Sequence, residues 1–552
     1  MEQQDINENK SSEMNLIGTD DFIQNSYILM VGYLISIIIS TIGTILIIRW
    51  ISVFDYSLIN IANIIPSILI LFGELGLNYA SINFIAKKLK ENDINGAKNV
   101  VKINLIVKII IALIFSISVM VSSVLIAKYI YNFDDADIIL LIQLCSIGIF
   151  STILFETMNS FFLGAQNMKV VQYGAILRSS LRTGLSLILI LYGYTLIGPI
   201  LGSVLAPLIV VIFYIYFLIK QFKTRKTENV GKNPIEWKEL NKMMKYGYPL
   251  LIFSILAGIQ GQIFILILTI YGYINEVSYF NVAIVSSTII AILIKSISFS
   301  LFPIFSKMEW DIEKERKRLI KYFQFSNKFA TLLIIPVSIF LILFSSDIFP
   351  IIFGEDYLEA APFISIYFCA FLFVSFGSIS IPAFFNGQQK TKEVLFIQLI
   401  FLISSTCLAL LFISYFGSLG IMVGLVLGEL LSVIYGNIRI RKTYGNILFK
   451  NLKNIVGVLL IAILIGILIF ILKNYLLNFY NIKEVAFKIL FLLILLFLYG
   501  IIFLITIGAL SLISIGEINF FVKSFDKFPL INKIIKFLAF FMKKLLFLKK
   551  NK

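Results

Sequence analysis

The chain has 552 residues, of which 59% are hydrophobic and only 14% are charged, and its mean hydropathy is +0.95. Soluble domains carry about a quarter charged residues, so this composition excludes a soluble globular protein and indicates that the lipid bilayer is the main solvent. The sequence contains no histidine, which excludes histidine-ligated metals and histidine proton relays. We therefore expect no metal site and no bound cofactor, and any coupling to a proton or sodium gradient has to use carboxylates.

Fourteen apolar segments, each long enough to cross a bilayer as a helix, follow one another along the chain. They are too continuous for the strands of a membrane barrel, which are about ten residues long and alternate in polarity. The predicted fold is therefore an all-α polytopic membrane protein with about 14 transmembrane helices. The predicted spans are residues 27–50, 58–86, 103–130, 138–164, 170–191, 196–219, 248–271, 279–305, 323–344, 360–385, 394–416, 420–438, 455–471 and 485–512.

Basic residues concentrate in every second connection between the spans. The even-numbered connections and their flanks hold 29 lysines and arginines, whereas the odd-numbered ones hold five. The positive-inside rule then predicts a multi-pass protein of the cell (cytoplasmic) membrane with both termini in the cytoplasm. The net charge of +16 is thus mainly a topology signal, and nucleic acid is not an expected partner.

The spans and their connections divide the chain into six predicted parts. The polar start of the chain predicts a cytoplasmic tail without a cleavable signal peptide. The end of the chain mixes aromatic residues with nine lysines, which suits the anionic headgroup region of the inner leaflet. The parts are an N-terminal tail (1–26), a first six-helix bundle (27–219), a cytoplasmic linker (220–247), a second six-helix bundle (248–438), two additional transmembrane helices (439–515) and a basic amphipathic tail (516–552).

An internal repeat relates the first six spans to the second six. Short motifs recur in the same order and at a nearly constant spacing in the two halves. Because each copy holds an even number of spans, the copies are parallel repeats related by an axis along the membrane normal. The repeat predicts two bundles with a substrate crevice between them and alternating access by rocking. The paired positions are Asn60–Ala62 with Asn281–Ala283, Phe133–Asp135 with Phe353–Glu355, Gln166 and Lys169 with Gln388 and Lys390, and Gly198 and Gly202 with Gly420 and Gly424.

Six stretches together carry a family resemblance. They are RWISVFDYSLINIA (49–62), FGELGLNYASINFIAKK (72–88), FLGAQNMK (162–169), YGYPLL (246–251), LFPIFSKM (301–308) and IIFGEDYLEAAP (351–362). With these stretches the chain resembles the polysaccharide transporter family, the Wzx-type lipid-linked oligosaccharide flippases of the multidrug/oligosaccharidyl-lipid/polysaccharide superfamily. Two positions depart from the family pattern: Ser57 stands where a glycine is frequent, and Glu74 where an aspartate or small residue is common.

The resemblance implies a flippase that moves a polyprenyl-linked oligosaccharide from the cytoplasmic to the outer leaflet for surface polysaccharide or glycan biosynthesis. The implied partners are a polyprenyl-phosphate or pyrophosphate linked glycan, membrane lipids and polysaccharide assembly proteins. Such a charged head cannot cross hydrocarbon unaided, because an isolated buried charge costs tens of kcal/mol in the Born limit. The chain lacks a G-x-x-x-x-G-K-[ST] motif, which argues against ATP drive, and an interior-negative potential itself favours outward movement of an anion.

Three basic residues lie well inside the apolar spans, where ionisable groups are costly and usually functional. Arg178 and Arg182 lie about 12 and 18 Å from the cytoplasmic end of the fifth span, and Lys295 lies about 15 Å from that of the eighth. We hypothesise that they line the central cavity and bind the anionic head of the substrate. The alternative is that they snorkel to the interface or form structural ion pairs.

The repeat adds a hypothesis about Glu74. The spacing between the repeated motifs makes Glu74 and Lys295 equivalent positions of the two halves. We expect them to approach each other near the pseudo-two-fold axis, where pairing would close one state and a substrate phosphate would displace the carboxylate. A purely structural ion pair is the alternative interpretation.

Four more polar residues inside spans are candidate site residues. Glu156 and Glu429 are intramembrane acids that could carry a coupling proton or sodium ion. Gln260 and Gln262 could hydrogen-bond sugar hydroxyls, and helix–helix hydrogen bonding is the alternative for both.

Other function classes stay open to different degrees. A cation- or drug-coupled antiporter of the same superfamily would place acids rather than bases in its cavity, and a lipid II flippase is hard to separate by sequence. A membrane glycosyltransferase needs catalytic carboxylates on a sizeable loop, but no connection exceeds about 30 residues. We therefore expect no enzymatic activity, and a non-transporting scaffold is the remaining alternative.

Overall fold

The structure is a computed structural model of the full chain. It describes residues 31–224, 237–306, 310–445, 452–479 and 485–510, together with isolated positions such as 308, 512 and 536. For residues 221–224, 289, 293, 295–304, 452, 453 and 477–479 it describes the backbone alone. The predicted terminal tails and most of the linker at 220–247 lie outside the described residues. The described chain forms two compact units that divide after Ser278.

The first unit consists of helices. Several begin at a side-chain cap: the hydroxyl of Ser52 accepts the N–H of Asp55 at 3.0 Å, and the carboxylate of Asp93 accepts the N–H of Gly96 at 2.7 Å. The helices are α1 Val31–Trp50, α2 Val53–Ala62, α3 Ile64–Gly73, α4 Leu77–Lys90, α5 Ile94–Leu125 with a π-turn at Ile126–Ile130, α6 Ala136–Gly164, α7 Met168–Leu191, α8 Ile197–Thr224, α9 Lys238–Ile270 and the start of α10, Ile274–Ser306.

The second unit, from Tyr279 onward, repeats the helical plan and adds the last two spans. Its helices after α10 are α11 Glu313–Leu343, α12 Ser345–Phe353, α13 Ala361–Cys369, α14 Ser380–Gly387, α15 Thr391–Phe416, α16 Leu419–Tyr444, α17 Leu452–Phe479 and α18 Val485–Ala509, with 3-10 turns at Glu355–Ala360 and Ala370–Phe376.

Turns in the two units repeat along with the helices. Some residues with positive φ recur at nearby places in the two copies, at Asn132 and Gly354, at Gln166 and Gln389, and at Gly193 and Gly417. The spacing within these pairs closely matches that of the repeated motifs in the sequence. The recurrence of positive φ at equivalent helix ends is independent structural support for the internal repeat.

Two predicted spans are broken where the sequence pattern is continuous. The second span is divided into α2, α3 and α4, and the break between α3 and α4 contains Leu75 and Gly76 with φ of 46° and 67°. The tenth span changes direction at Gly377, whose φ is 91°, before α14 begins. Left-handed backbone is readily available to glycine, so FGELG and SFG are the sequence signals for these breaks.

The core of each unit is a layer of apolar side chains between helices. In the first unit it centres on Tyr214 and the phenylalanines of α6, joined by Leu77 and Met243. In the second unit α11, α17 and α18 share a core around Phe340 and Tyr499. The two added spans are therefore packed against the ninth span, and Gly466 of α17 lies against Ile339 and Leu343 of α11.

The all-α prediction is confirmed. Thirteen helices of the described chain are long and apolar enough to cross a membrane. The predicted eighth span, 279–305, falls on α10, where many side chains are outside the described part. The protein is thus a polytopic all-α membrane protein, and α9, which the repeat assigns to the second half, packs against α3 and α4 in the first unit.

Candidate functional site

A fully buried lysine lies at the break in the second span. Lys108 of α5 has no exposed surface, and its Nζ donates to the carbonyl oxygens of Gly73 at 2.8 Å and Glu74 at 2.5 Å. Because the Leu77 N–H donates to the Glu74 carbonyl at 3.0 Å, an i to i−3 bond, and not to that of Gly73, the Gly73 carbonyl at the end of α3 needs another donor. The ammonium group of Lys108 supplies it.

Acidic groups surround this ammonium. The carboxylates of Glu74 and Glu156 both act on Lys108 electrostatically. Glu156 of α6 also accepts a hydrogen bond of 3.0 Å from the guanidinium of Arg178 on α7. The guanidinium carbon of Arg178 lies 4.3 Å from the centre of the Phe155 ring, a cation–π distance.

Arg182 completes this arrangement one turn beyond Arg178. It is exposed and forms no ion pair within the described part of the chain, and Arg178 and Tyr56 both act on it electrostatically. We call Glu74, Lys108, Glu156, Arg178 and Arg182 the charged cluster. It contains three bases and two acids, so its formal charge is +1, and Arg182 carries the uncompensated charge.

The charged cluster faces accessible space inside the membrane-spanning region. The side chains of Arg178 and Glu156 keep 33% and 36% of their surface exposed. Ionisable groups inside membrane spans almost always face the interior of the helix bundle or a water-filled cavity. The cluster is therefore a candidate binding site for an anionic group.

Aromatic packing fixes the helices that carry the cluster. Tyr214 of α8 is fully buried and donates from its hydroxyl to the side-chain oxygen of Asn159 at 3.1 Å. A Cβ at Gly174 of α7 would lie 2.0 Å from that hydroxyl oxygen, so α7 can approach only because this residue is glycine. Asn159 lies one turn from Glu156 on α6, and Tyr33 of α1 lies beside both.

The two glutamines of α9 differ in their surroundings. Gln260 is buried with 9% exposure. Gln262 is partly buried, and its side-chain oxygen is shielded from solvent without a hydrogen-bond partner. A buried acceptor without a partner is energetically costly, so Gln262 is the better candidate for binding a hydroxyl of a ligand.

Helices α4 and α9 form a close contact that we call the α4–α9 seam. It joins three pairs: Lys88 with Glu239 at 3.5 Å, Phe84 with Tyr246 at 6.2 Å between ring centres, and Gly76 with Gly247. A Cβ on Gly76 would lie 2.0 Å from the carbonyl oxygen of Gly247, and one on Gly247 would lie 2.5 Å from that of Gly76. The backbones therefore touch directly at the helix break.

The end of the seam carries an additional ion pair in the connection between α4 and α5. Lys88 also contacts Asp93 at 2.9 Å. That ammonium group, together with the N–H of Gly96, holds the pKa of the Asp93 carboxyl below its usual range. Lys88 thus bridges the start of α9 and the cap of α5.

Ser57, a departure from the family pattern, has a structural role in the first unit. Its hydroxyl is 2.8 Å from that of Ser278, and the Ser278 N–H donates to it at 3.2 Å. The two serines are separated by the spacing of the internal repeat, so they are equivalent positions of the two copies. A glycine at position 57 could not make these hydrogen bonds.

The second unit contains a cavity of about 600 Å³ beside the break in the tenth span. Its walls are mainly apolar, and its polar lining residues are Tyr367, Ser378, Asn386 and Glu429. Among the described residues, none forms an ion pair with Glu429. Glu429 is therefore a candidate site residue of this cavity.

The structure brings some of the predicted site residues together. Glu74, Glu156, Arg178 and Arg182 share the charged cluster, whereas Glu429 lies in the second unit. The side chain of Lys295 lies outside the described residues, so its pairing with Glu74 stays a prediction.

Lys108 is a functional candidate that sequence reasoning missed. The internal repeat places Lys328 at the equivalent position of the second copy. Lys328 is also buried, at 6% exposure. A lysine at the same place in both copies is the signal that could have revealed Lys108.

Sequence comparison places this helical membrane protein in a family. Residues 46–362 match the family model described as polysaccharide biosynthesis protein, so the chain belongs to that family. It is also 25% identical over 391 residues to an uncharacterised membrane protein of Methanocaldococcus jannaschii, covering 67% of this chain and 74% of the relative.

Solved structures show the same fold. The chain resembles the lipid II flippase MurJ in an inward closed conformation, with a TM-score of 0.66 and 18% identity over 86% of this chain and 97% of MurJ. It also resembles a multidrug resistance MATE transporter of the MOP superfamily in an inward-facing conformation, with a TM-score of 0.59 and 17% identity over 74% and 95% of the two chains. A MOP superfamily transporter from Pyrococcus furiosus matches with a TM-score of 0.55 and 16% identity over 77% and 96%. At these identities the likeness establishes the fold.

Proposed function

We propose that this protein is a flippase that moves a polyprenyl-linked oligosaccharide from the cytoplasmic to the outer leaflet of the cytoplasmic membrane. The observation that carries the proposal is the exposed residue Arg182, which has no ion-pair partner among the described residues, in a charged cluster of formal charge +1. A guanidinium binds phosphate through two parallel hydrogen bonds. Arg182 therefore binds the phosphate or pyrophosphate head of the substrate, and Arg178 supports it while paired with Glu156.

The sugars extend from the head group along the hydrated crevice. The partnerless oxygen of Gln262 accepts a hydrogen bond from a sugar hydroxyl, and Gln260 lies two residues before it on α9. Glu74, whose carboxylate acts electrostatically on Lys108, contributes negative charge to the site. Lys295 would add a second base from the eighth span.

Movement follows alternating access. The positive-inside rule supports an orientation with both termini and the Lys88 end of the α4–α9 seam on the cytoplasmic side. The seam then closes the site to the cytoplasm, since its aromatic, glycine and ion pairs bring α4 and α9 into direct contact. Opening the seam admits the lipid-linked glycan from the inner leaflet.

The test uses the full chain in lipid vesicles that contain a fluorescent undecaprenyl-pyrophosphate or dolichyl-pyrophosphate oligosaccharide. We expect the wild type to expose the glycan to a lectin or glycosidase on the opposite leaflet. Arg182→Gln removes a charge-assisted contact of about 1.5–3 kcal/mol and should slow flipping by roughly 10-fold or more. The matched control Lys102→Gln changes an exposed base on α5 and should leave flipping unchanged. Normal flipping by Arg182→Gln overturns the assignment of the head-group site.

The cavity at Glu429 favours a second candidate function, a cation- or drug-coupled antiporter. A carboxylate without an ion pair in the described part of the chain, set among apolar walls, suits an organic cation or a coupling sodium ion or proton. Glu156 is the weaker candidate for this role because it is already paired with Arg178. Export of a cationic dye against a sodium or proton gradient, without flipping of any polyprenyl-linked glycan, would support the antiporter. Flipping of lipid II in preference to peptide-free glycans would support a lipid II flippase.

A further inference from the structure

Lys108 is chemically unlike the other members of the charged cluster. Its side chain has no exposed surface, whereas Arg178 and Glu156 are about one third exposed. Two of the three N–H groups of the ammonium are used by the carbonyls of Gly73 and Glu74. A dissolved ligand therefore cannot contact Lys108 as the structure stands, so the residue has a role other than direct substrate binding.

The ammonium group of Lys108 occupies the kind of position that a bound monovalent cation takes at the end of a broken helix. The C-terminal end of α3 carries partial negative charge from its carbonyl groups, and the carboxylates of Glu74 and Glu156 add to the negative potential. In transporters with broken membrane helices, unwound carbonyls and half-helix ends coordinate monovalent cations. In this protein the cation is the ammonium group of Lys108 on α5. The long aliphatic part of that side chain runs through the apolar packing between the helices.

We propose that Lys108 is a tethered cation that holds the second span in its broken conformation, in place of a diffusible ion. The ammonium satisfies the last carbonyls of α3 and balances Glu74 and Glu156, which stabilises the turn at Leu75 and Gly76. Because Gly76 contacts Gly247, the same interaction positions α4 against α9. Lys108 is thus a positioning residue for the α4–α9 seam, and the proposal does not depend on which substrate is carried.

Chemical rescue distinguishes a role of Lys108 as a cation from a role in packing alone. Lys108→Ala removes the propylammonium portion of the side chain and leaves a carbonyl-lined space. In purified full-length protein we expect the melting temperature to fall by about 5 °C or more. Added n-propylammonium chloride should restore it in a saturable manner, while propan-1-ol, a neutral molecule of the same length, should not. The matched control Lys102→Ala, an exposed residue on the same helix, should neither lower the melting temperature nor respond to the amine.

A second readout follows the conformation. Cysteines placed at Phe84 and Tyr246 in a chain without its native cysteines report the seam through a short bifunctional thiol reagent. Lys108→Ala should lower the cross-linking yield several-fold, and n-propylammonium should restore it over the same concentration range. Equal rescue by propan-1-ol, or an unchanged melting temperature and yield, overturns the proposal.

Two further variants cover the case in which Lys108→Ala is not recovered folded. Lys108→Gln keeps a hydrogen-bond donor and removes the charge, and Lys108→Arg keeps the charge. We expect the arginine variant to cross-link more efficiently and melt higher than the glutamine variant. A glutamine variant that equals the wild type shows that a neutral donor suffices, and it overturns the tethered cation.

Discussion

The two broken spans of this protein are stabilised by different chemistry. At the break in the second span, the carbonyls of Gly73 and Glu74 accept hydrogen bonds from the ammonium of Lys108. At the break in the tenth span, the carbonyls of Ser375 and Phe376 accept neutral amide N–H groups, each at 2.9 Å, from Asn327 and Asn437. Both arrangements satisfy buried carbonyls, but only the first introduces charge.

This difference matches the surroundings of each break. The charged break borders the cluster that contains Glu156 and Arg178, where several charges compensate one another. The neutral break borders the cavity in which Glu429 faces apolar walls without an ion pair among the described residues. The repeat pairs the second span with the eighth and not with the tenth, so the two breaks are separate features of the chain with different local chemistry.

The largest expected effect comes from filling the glycine contact at the charged break. Gly76→Ala forces a left-handed conformation on alanine, which costs about 1–2 kcal/mol, and its Cβ would meet the Gly247 carbonyl at 2.0 Å. Overpacking adds about 1–3 kcal/mol. We expect a strong fall in melting temperature and loss of cross-linking across the α4–α9 seam.

The same helix pair supplies a matched control for this prediction. A Cβ added to Gly261 of α9 would have no atom within 4 Å, so Gly261→Ala should be neutral or stabilise the helix by about 0.5–1 kcal/mol. Gly247→Ala tests the contact from the other side without changing the backbone at the break. If Gly247→Ala behaves like Gly261→Ala, the seam is not closed by the glycine pair.

Disrupting the neutral break should lower the melting temperature less, and it tests whether the two breaks differ in chemistry. Asn327→Ala leaves the buried carbonyl of Ser375 without its donor, at a cost of about 1–3 kcal/mol. The loss should be insensitive to n-propylammonium, because the carbonyl of Ser375 loses a neutral amide donor and not a cation. Thermal unfolding of this variant beside Lys108→Ala, with and without the amine, measures the difference. Rescue of both variants by the amine would show that it stabilises the protein nonspecifically.

Hydropathy alone was sufficient to predict the helical fold, because each span is an almost unbroken apolar run. The breaks were not predicted, since the apolar windows continue through FGELGL and through Gly377 and only the backbone shows the change in direction. Lys108 was missed for a related reason: one lysine hardly changes the mean hydropathy of a 37-residue helix. The repeat relates Lys108 to Lys328, and burial of both shows that a repeated charge inside apolar spans is a stronger signal than either lysine alone.

The cluster itself was only partly accessible to sequence reasoning. Helical spacing predicted that Arg178 and Arg182 share a face, but the pairing of Arg178 with Glu156 depends on how α6 packs against α7. That packing rests on the close approach of Gly174 to Tyr214, two residues on different helices. Which of the two arginines has no ion-pair partner among the described residues therefore depends on how the helices pack in three dimensions.

The smallest expected effect on stability, and the most specific, concerns Glu429. A carboxylate without an ion pair contributes little to folding until a cation binds, so Glu429→Gln should change the melting temperature by less than the two break variants do. A cation that binds only the folded protein stabilises it by an amount that grows with its concentration. The wild type should therefore melt higher in sodium chloride than in N-methyl-D-glucamine chloride of equal ionic strength, or at lower pH if the proton is the ion, and Glu429→Gln should lose that response.

Asp134→Asn, which alters an exposed carboxylate with 82% side-chain exposure, should keep it. An equal ion response in Glu429→Gln and the wild type would place the cation elsewhere and remove the chemical contrast between the two units.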